Sequence, residues 1–238
     1  MSTKPILDRA LALRRSNPFG QFGQSGDVST YNGATGCGHT VWQFIIKFWL
    51  NRWLTHDDIS RLAGYPWPVL NPNRRGLRPS ESEKLIYKLK LPYRFVWNPT
   101  LSELLQASNW GPVLWPHWYG VYPNWKDYHG QTPPSPYARP LRHAGRNQFK
   151  NFFAGHASCE LGYLPILGTT GKIIRYDVWN FEPNHDSPVR PENVAYDIIT
   201  SSQMWKAHRA LLAPPSSQIG NSIPWTNLWA FIPTKKWG

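Results

Sequence analysis

The 238-residue chain has little cysteine, little methionine and little negative charge. Two cysteines exclude a disulfide-stapled scaffold and any zinc site built on four thiolates. Charged residues make up only 17% of the chain, against about 25% in an ordinary soluble domain. Of these, 14 are acidic and 26 basic, giving a formal net charge of +12. No apolar run approaches the ~20 residues that cross a bilayer, so no membrane span is expected. The opening MSTKPILDRALALRRSNPFG lacks an apolar stretch of secretory length, so no signal peptide is expected. There is no Walker loop, no Gly-x-Gly-x-x-Gly and no His-Glu-x-x-His, so neither a cofactor nor a metal is expected. What is abundant is tryptophan, 14 residues, and proline, 23. So many aromatic side chains argue against a disordered chain. The excess of positive charge suits an anionic partner: nucleic acid, a membrane surface or an acidic wall polymer.

Residues 1–29 read as an N-terminal arm, with a short basic amphipathic helix over 1–15 carrying Ile6, Leu7, Ala10, Leu11 and Leu13. The body is 30–212, interrupted by an irregular Pro-, Tyr- and Arg-rich insertion at 119–150. Within it, 41–54 (VWQFIIKFWLNRWL) is too long and too apolar for an ordinary strand and reads as a buried helix. A second helix starts at the N-cap Thr55 and stops at Gly64. A third is expected from Ser80, with Glu83 closing a capping box, and a fourth from Thr100 with Glu103. RFVW (94–97) and GPVLWPHW (111–118) read as strands. So do the two arms of a hairpin, 153–167 and 171–183, turning at Gly168–Gly171. Residues 192–212 carry a helix in at least their second half, and the Pro/Trp-rich tail 213–238 is expected to lie extended over the body. Helices first and strands later is an α+β order, with a helical N-terminal half on an antiparallel sheet from the C-terminal half.

Cys37 sits between Gly36 and Gly38 where the buried helix begins. A helix start has unpaired N–H groups and a positive dipole end, which favour a thiolate. Small flanks leave the sulfur open and let backbone N–H groups reach a developing oxyanion. A thiol nucleophile needs a base, and His156 in FFAGHASCELGY is the best placed of eight histidines. A lone histidine of this kind is most often a satisfied core residue, so its partnership with Cys37 is the deciding point. His39 is too close in sequence to Cys37 to be the usual partner. The base in turn needs an orienting acceptor. Glu182 and Asn180 share a face of the following strand by alternation, and Asp177 is a third choice, so the sequence leaves the acceptor open. Cys159 alternates to the face opposite His156 and reads as core. His117, His129, His143 and His185 lack metal-ligand spacing. The basic segment Tyr137–Lys150 reads as a solvated cationic loop that phosphate or a polyanion could meet. Trp110, Trp115 and Trp118 flank the strand that should border the cleft and are expected to line a substrate groove.

The order of these motifs resembles the papain-like cysteine peptidases, and among them the peptidases that process bacteriocin leaders after a double glycine. The residues that carry the likeness are Gly36-Cys37-Gly38, Leu54-Thr55, and Gly111-Pro112-Val113 after a helix. They continue with Gly155-His156-Ala157, Leu161-Gly162-Tyr163 and Glu182-Pro183-Asn184, together spanning about 30–212. The resemblance implies a papain-like fold and a Cys-His-(Glu/Asn) triad, with Glu182 standing where the family has Asp. The family's oxyanion glutamine has no exact counterpart; Asn32 is the nearest substitute and Gln24 a distant one. It implies a cysteine hydrolase acting on amide bonds of peptides or of peptidoglycan stems. A basic, Trp-rich enzyme without a leader fits a phage virion, as a tail-borne lysin, or the cytoplasm. The alternative is a non-catalytic structural or adaptor protein on the same fold, docking other subunits through its arms. A nucleic-acid binder using the +12 charge is a third reading, which predicts binding that weakens steeply with salt.

Overall fold

The computed structural model describes residues 4–16, 36–65, 76–118, 138–139, 155–181, 183, 196–213 and 226–238. Helix α1 spans Lys4–Ser16, and its stripe of Ile6, Leu7, Ala10 and Leu13 is buried in the main core. Helix α2 (Cys37–Leu50) is buried at every residue from Cys37 to Ile46. Val, Ile, Phe and Trp are mediocre helix formers, so packing rather than propensity holds it. Each fully buried side chain of that kind contributes about 1.5–3 kcal/mol. Phe44 stacks on Phe181 at 4.5 Å, and Trp42 meets Phe231 edge-on at 5.4 Å. The helix ends at Asn51, which takes a left-handed conformation and returns its N–H to Lys47 O.

Helix α3 (His56–Ala63) starts and stops where expected: Thr55 and Asp58 exchange capping bonds, and Gly64 closes it with φ 66°. Helix α4 (Pro79–Leu89) starts earlier than the Ser80–Glu83 box predicts. Proline pre-sets the dihedral of a first helical residue, so Pro79 takes that place and Glu81 accepts from Arg78 N at 2.8 Å. Strand β1 is Tyr93–Trp97, and helix α5 (Leu101–Ser108) carries the predicted Thr100–Glu103 box. Strands β2 (Val113–Trp118), β3 (Ala138–Arg139), β4 (Gly155–Leu167), β5 (Ile173–Phe181) and β6 (Tyr196–Thr200) follow. The β4–β5 hairpin turns at Gly168–Gly171 as expected. Helix α6 (Ser201–Arg209) occupies the second part of the 192–212 segment, whose earlier residues form β6. The tail does not simply lie over the body: Trp229–Pro233 is strand β7.

The order of strands in the sheet is β1-β7-β2-β4-β5-β6-β3, antiparallel throughout except for the β3–β6 pair. The fold is therefore mixed α+β, although β1 and β2 come from the first half of the chain. Alternation sorts the two faces. Leu114, Cys159, Leu161, Phe181 and Phe231 pack with α1 and α2. Val113, Trp115, Val178, Ala230 and Ile232 pack with α5 and α6. The start of α2 and the start of β4 meet at one cleft.

Candidate active site

Cys37 is the first residue of α2, and Gly36 before it offers no side chain to cap the helix. No side-chain cap closes that first turn, and the Gly38 N–H meets the Cys37 sulfur. Cys37 is buried and reduced, as is Cys159. Burial alone would push its thiol up. That effect is outweighed by the charge of His156, a side-chain hydrogen bond with His156, and the backbone N–H groups of Ala157 and Gly38. The net result is a thiol held below its ordinary value.

His156 stands at the second residue of β4, still paired with β2, and lines the cleft. Its own burial is nearly complete, at 2% exposed. The cleft, about 670 Å³, is lined by Cys37, Gly38, His156 and Ala157. Its walls are apolar: Leu77, Trp97, Leu114, Pro116 and Trp229, with Arg78 and Asn227 as polar members. Leu77 sits against the helix start, 3.6 Å from where a side chain on Gly38 would begin. The structure thus joins Cys37 and His156 and opens the pair to one cavity.

The other expected residues fall differently. Asn180 is fully buried, and its Oδ1 accepts from Trp115 Nε1 at 3.1 Å and from Ser158 Oγ at 3.3 Å. Asp177 is gripped by Arg175, Nε to Oδ1 2.9 Å, farther along β5. Glu182, Asn32 and Gln24 lie outside the described residues, as do the side chain of Trp118 and most of the 137–150 segment. Trp115 is not a groove residue: it is wholly buried under α6. Alternation explains this, because Leu114 and Pro116, on the opposite face of β2, are the ones that reach the cleft. Trp110 is 43% exposed but lines a second cavity, with Arg94, Glu103 and Gln106, separate from Cys37. His39 is turned away, its Nε2 3.0 Å from Ser60 Oγ and its ring packed on Tyr65. Burial pushes the Cys159 thiol well up, consistent with a packing role. No cluster of three metal-ligating side chains occurs among the described residues.

One neighbour was not singled out by sequence. His117 on β2 is the register partner of His156, and their rings lie 5.1 Å apart at 81°. The signal for it was strand alternation from Val113, which carries Trp115 and His117 on one face, combined with an antiparallel partner that only the register identifies. No protein-family model matches the chain, and no curated protein matches it. No described helix is long and apolar enough to cross a membrane.

Proposed function

We propose that the chain is a cysteine hydrolase of papain-like design that cleaves amide bonds in peptides or peptidoglycan stem peptides. The observation that carries the reading is the Cys37–His156 pair: a thiol at a helix start, held below its ordinary value by a histidine, inside an open cleft. The Cys37 thiolate attacks the carbonyl carbon, and the oxygen's new charge is met by backbone N–H at the start of α2. Protonated His156 gives its proton to the amide nitrogen as the C–N bond breaks, leaving a thioester on Cys37 and a free amine. Water then attacks the thioester, His156 takes its proton, and the acid departs with the thiol restored. The resemblance supplies Glu182 or Asn180 as the group that orients His156. Of the two, Asn180 accepts from Trp115 and Ser158 through Oδ1, and Glu182 is the carboxylate the resemblance sets in the family's Asp position. The apolar walls favour a substrate with an apolar side chain beside the scissile carbonyl.

The test is hydrolysis by the purified chain of a quenched-fluorescent peptide library and of isolated peptidoglycan. Release that iodoacetamide blocks and Cys37→Ala abolishes is expected. Release that survives Cys37→Ala overturns the reading, as does an unreactive Cys37. A second reading, a structural subunit of a phage virion or other assembly, is favoured by the β4–β5 hairpin tip. There Leu167, Ile173 and Ile174 are 59%, 51% and 65% exposed, an apolar edge suited to a neighbouring subunit. Turnover and assembly on one fold are compatible, and only the first needs Cys37.

A further inference from the structure

The buried face behind His156 carries a chain of hydrogen bonds whose direction follows from chemistry alone. Trp115 Nε1 can only donate, so the Asn180 atom 3.1 Å away is the carboxamide oxygen. That oxygen can only accept, so the Ser158 hydroxyl, 3.3 Å away, spends its proton on it. Ser158 Oγ is then left as an acceptor toward His117 Nδ1 at 3.4 Å. His117 must therefore present an N–H at Nδ1. The ring so fixed is wholly buried and lies edge-to-face with His156, the residue directly across the β2–β4 ladder.

We propose that His117 is a positioning residue for the thiol–imidazole pair, held as an Nδ1–H donor by the chain of Ser158, Asn180 and Trp115. The inference rests on the hydrolase reading above. It adds that the base is held from the β2 side as well as by whatever acceptor follows β5. The edge-to-face contact keeps the His156 ring from turning away from the sulfur, and orientation of the base is as necessary as its charge.

Among the described residues, several elements place groups near His117. From β4 they are His156 and Ser158, and from β5 Asn180. From β2 itself Trp115 stacks at 4.7 Å. From α6, His208 approaches through Trp115 and bonds Pro116 O through Nδ1; burial lowers it to about 4, so it is uncharged near neutral pH. Among the described residues, Glu160 also lies on this face, its pKa pushed well up by burial.

The test reads the pH profile of iodoacetamide alkylation at Cys37 by mass spectrometry on the full chain, which needs no substrate. Wild type, His156→Ala, His117→Phe, His117→Asn and Ser158→Ala are compared. His117→Phe keeps the ring contact but has no nitrogen. It should move the midpoint upward and cut the rate at pH 7 by about threefold or more, the change half a pKa unit gives. His117→Asn returns a donor near the Nδ1 position and should recover most of the loss. Ser158→Ala removes the oxygen that anchors His117 Nδ1 and should shift the profile in the same direction as His117→Phe. If His117→Phe does not fold, the Ser158→Ala profile decides. Profiles of His117→Phe and Ser158→Ala that match wild type overturn the positioning role. A wild-type midpoint at the ordinary thiol value, insensitive to His156→Ala, overturns the hydrolase reading instead, so the two failures are distinct.

Discussion

Glu160 offers a quantitative check on the buried face that carries the site. The carboxyl is fully buried on β4, two positions along from Ser158. Burial drives its pKa well above the ordinary carboxylate value; nearby Ser108 pulls the other way but does not offset it. The Ser108 hydroxyl already donates to Leu105 O at 2.7 Å. In the unfolded chain the same group loses its proton near pH 4.3. Between that pH and the raised folded value, the native state binds one more proton than the unfolded state. Stability supplied by this group is therefore complete below about pH 4.3 and falls as pH rises. The slope is about 1.4 kcal/mol per pH unit until the folded pKa is reached. Glu160→Gln removes the titration, so urea unfolding at rising pH above about 4.3 should show the variant gaining on wild type by up to that slope. Parallel stability curves for the two proteins would refute a raised Glu160 pKa.

The central pair makes its own prediction. Without His156 the largest influence left on Cys37 is burial, which raises its pKa. His156→Ala should move the thiol midpoint from below to above the ordinary ~8.5 and cut alkylation at pH 7 at least about tenfold. An unchanged rate means the histidine does not govern the thiol. Gly111→Ala should cost about 1–3 kcal/mol. Its new Cβ would lie 2.7 Å from Trp49 Cζ2, on a ring pinned by Nε1 to Tyr93 Oη at 3.0 Å. An unaltered melting temperature counts against that clash. Phe44→Ala, emptying the stack on Phe181, should lose about 3–5 kcal/mol in urea unfolding. A loss under 1 kcal/mol would place that pair outside the core.

What could be read from sequence was what neighbouring residues settle among themselves. Thr55–Asp58 and Thr100–Glu103 are separated by three residues, and each box closes without help from the rest of the chain. The start of α4 went astray because a second local signal, Pro79 at the first turn, outranked Ser80. Cys37 and His156 stood out because small flanks mark a terminus, and both lie at the start of an element. Strand β7 was hidden because five residues, Trp229–Pro233, gain strand structure only by pairing with β1 and β2, more than 110 residues earlier. Trp115 was drawn to the cleft by its size, whereas the register assigns that wall to Leu114 and Pro116. His117 became visible only once the same register set it opposite His156.

Strand β4 serves both sides of the fold, and its bulge gives a way to separate stability from the site. Cys159 and Leu161 pack on the side of α2; Ser158 and Glu160 turn the other way, to Asn180 and toward Ser108 of α5. A slip of one residue would exchange the two sets and take the base from the nucleophile. The β4–β5 ladder does shift register, but between Glu160 and Gly162, on the far side of Ser158 from the cleft. Gly162 has φ 141°, a region side chains avoid, so the irregularity depends on glycine. Gly162→Ala should cost about 1–3 kcal/mol of backbone strain. The β2–β4 register from Val113↔Glu160 to His117↔His156 lies on the cleft side of the bulge and is held independently by β2. Folded Gly162→Ala protein should therefore melt earlier yet keep the wild-type alkylation profile at Cys37. A profile shifted toward that of His156→Ala would mean that strain at the bulge travels down β4, and that the site depends on the whole hairpin rather than on its β2 side.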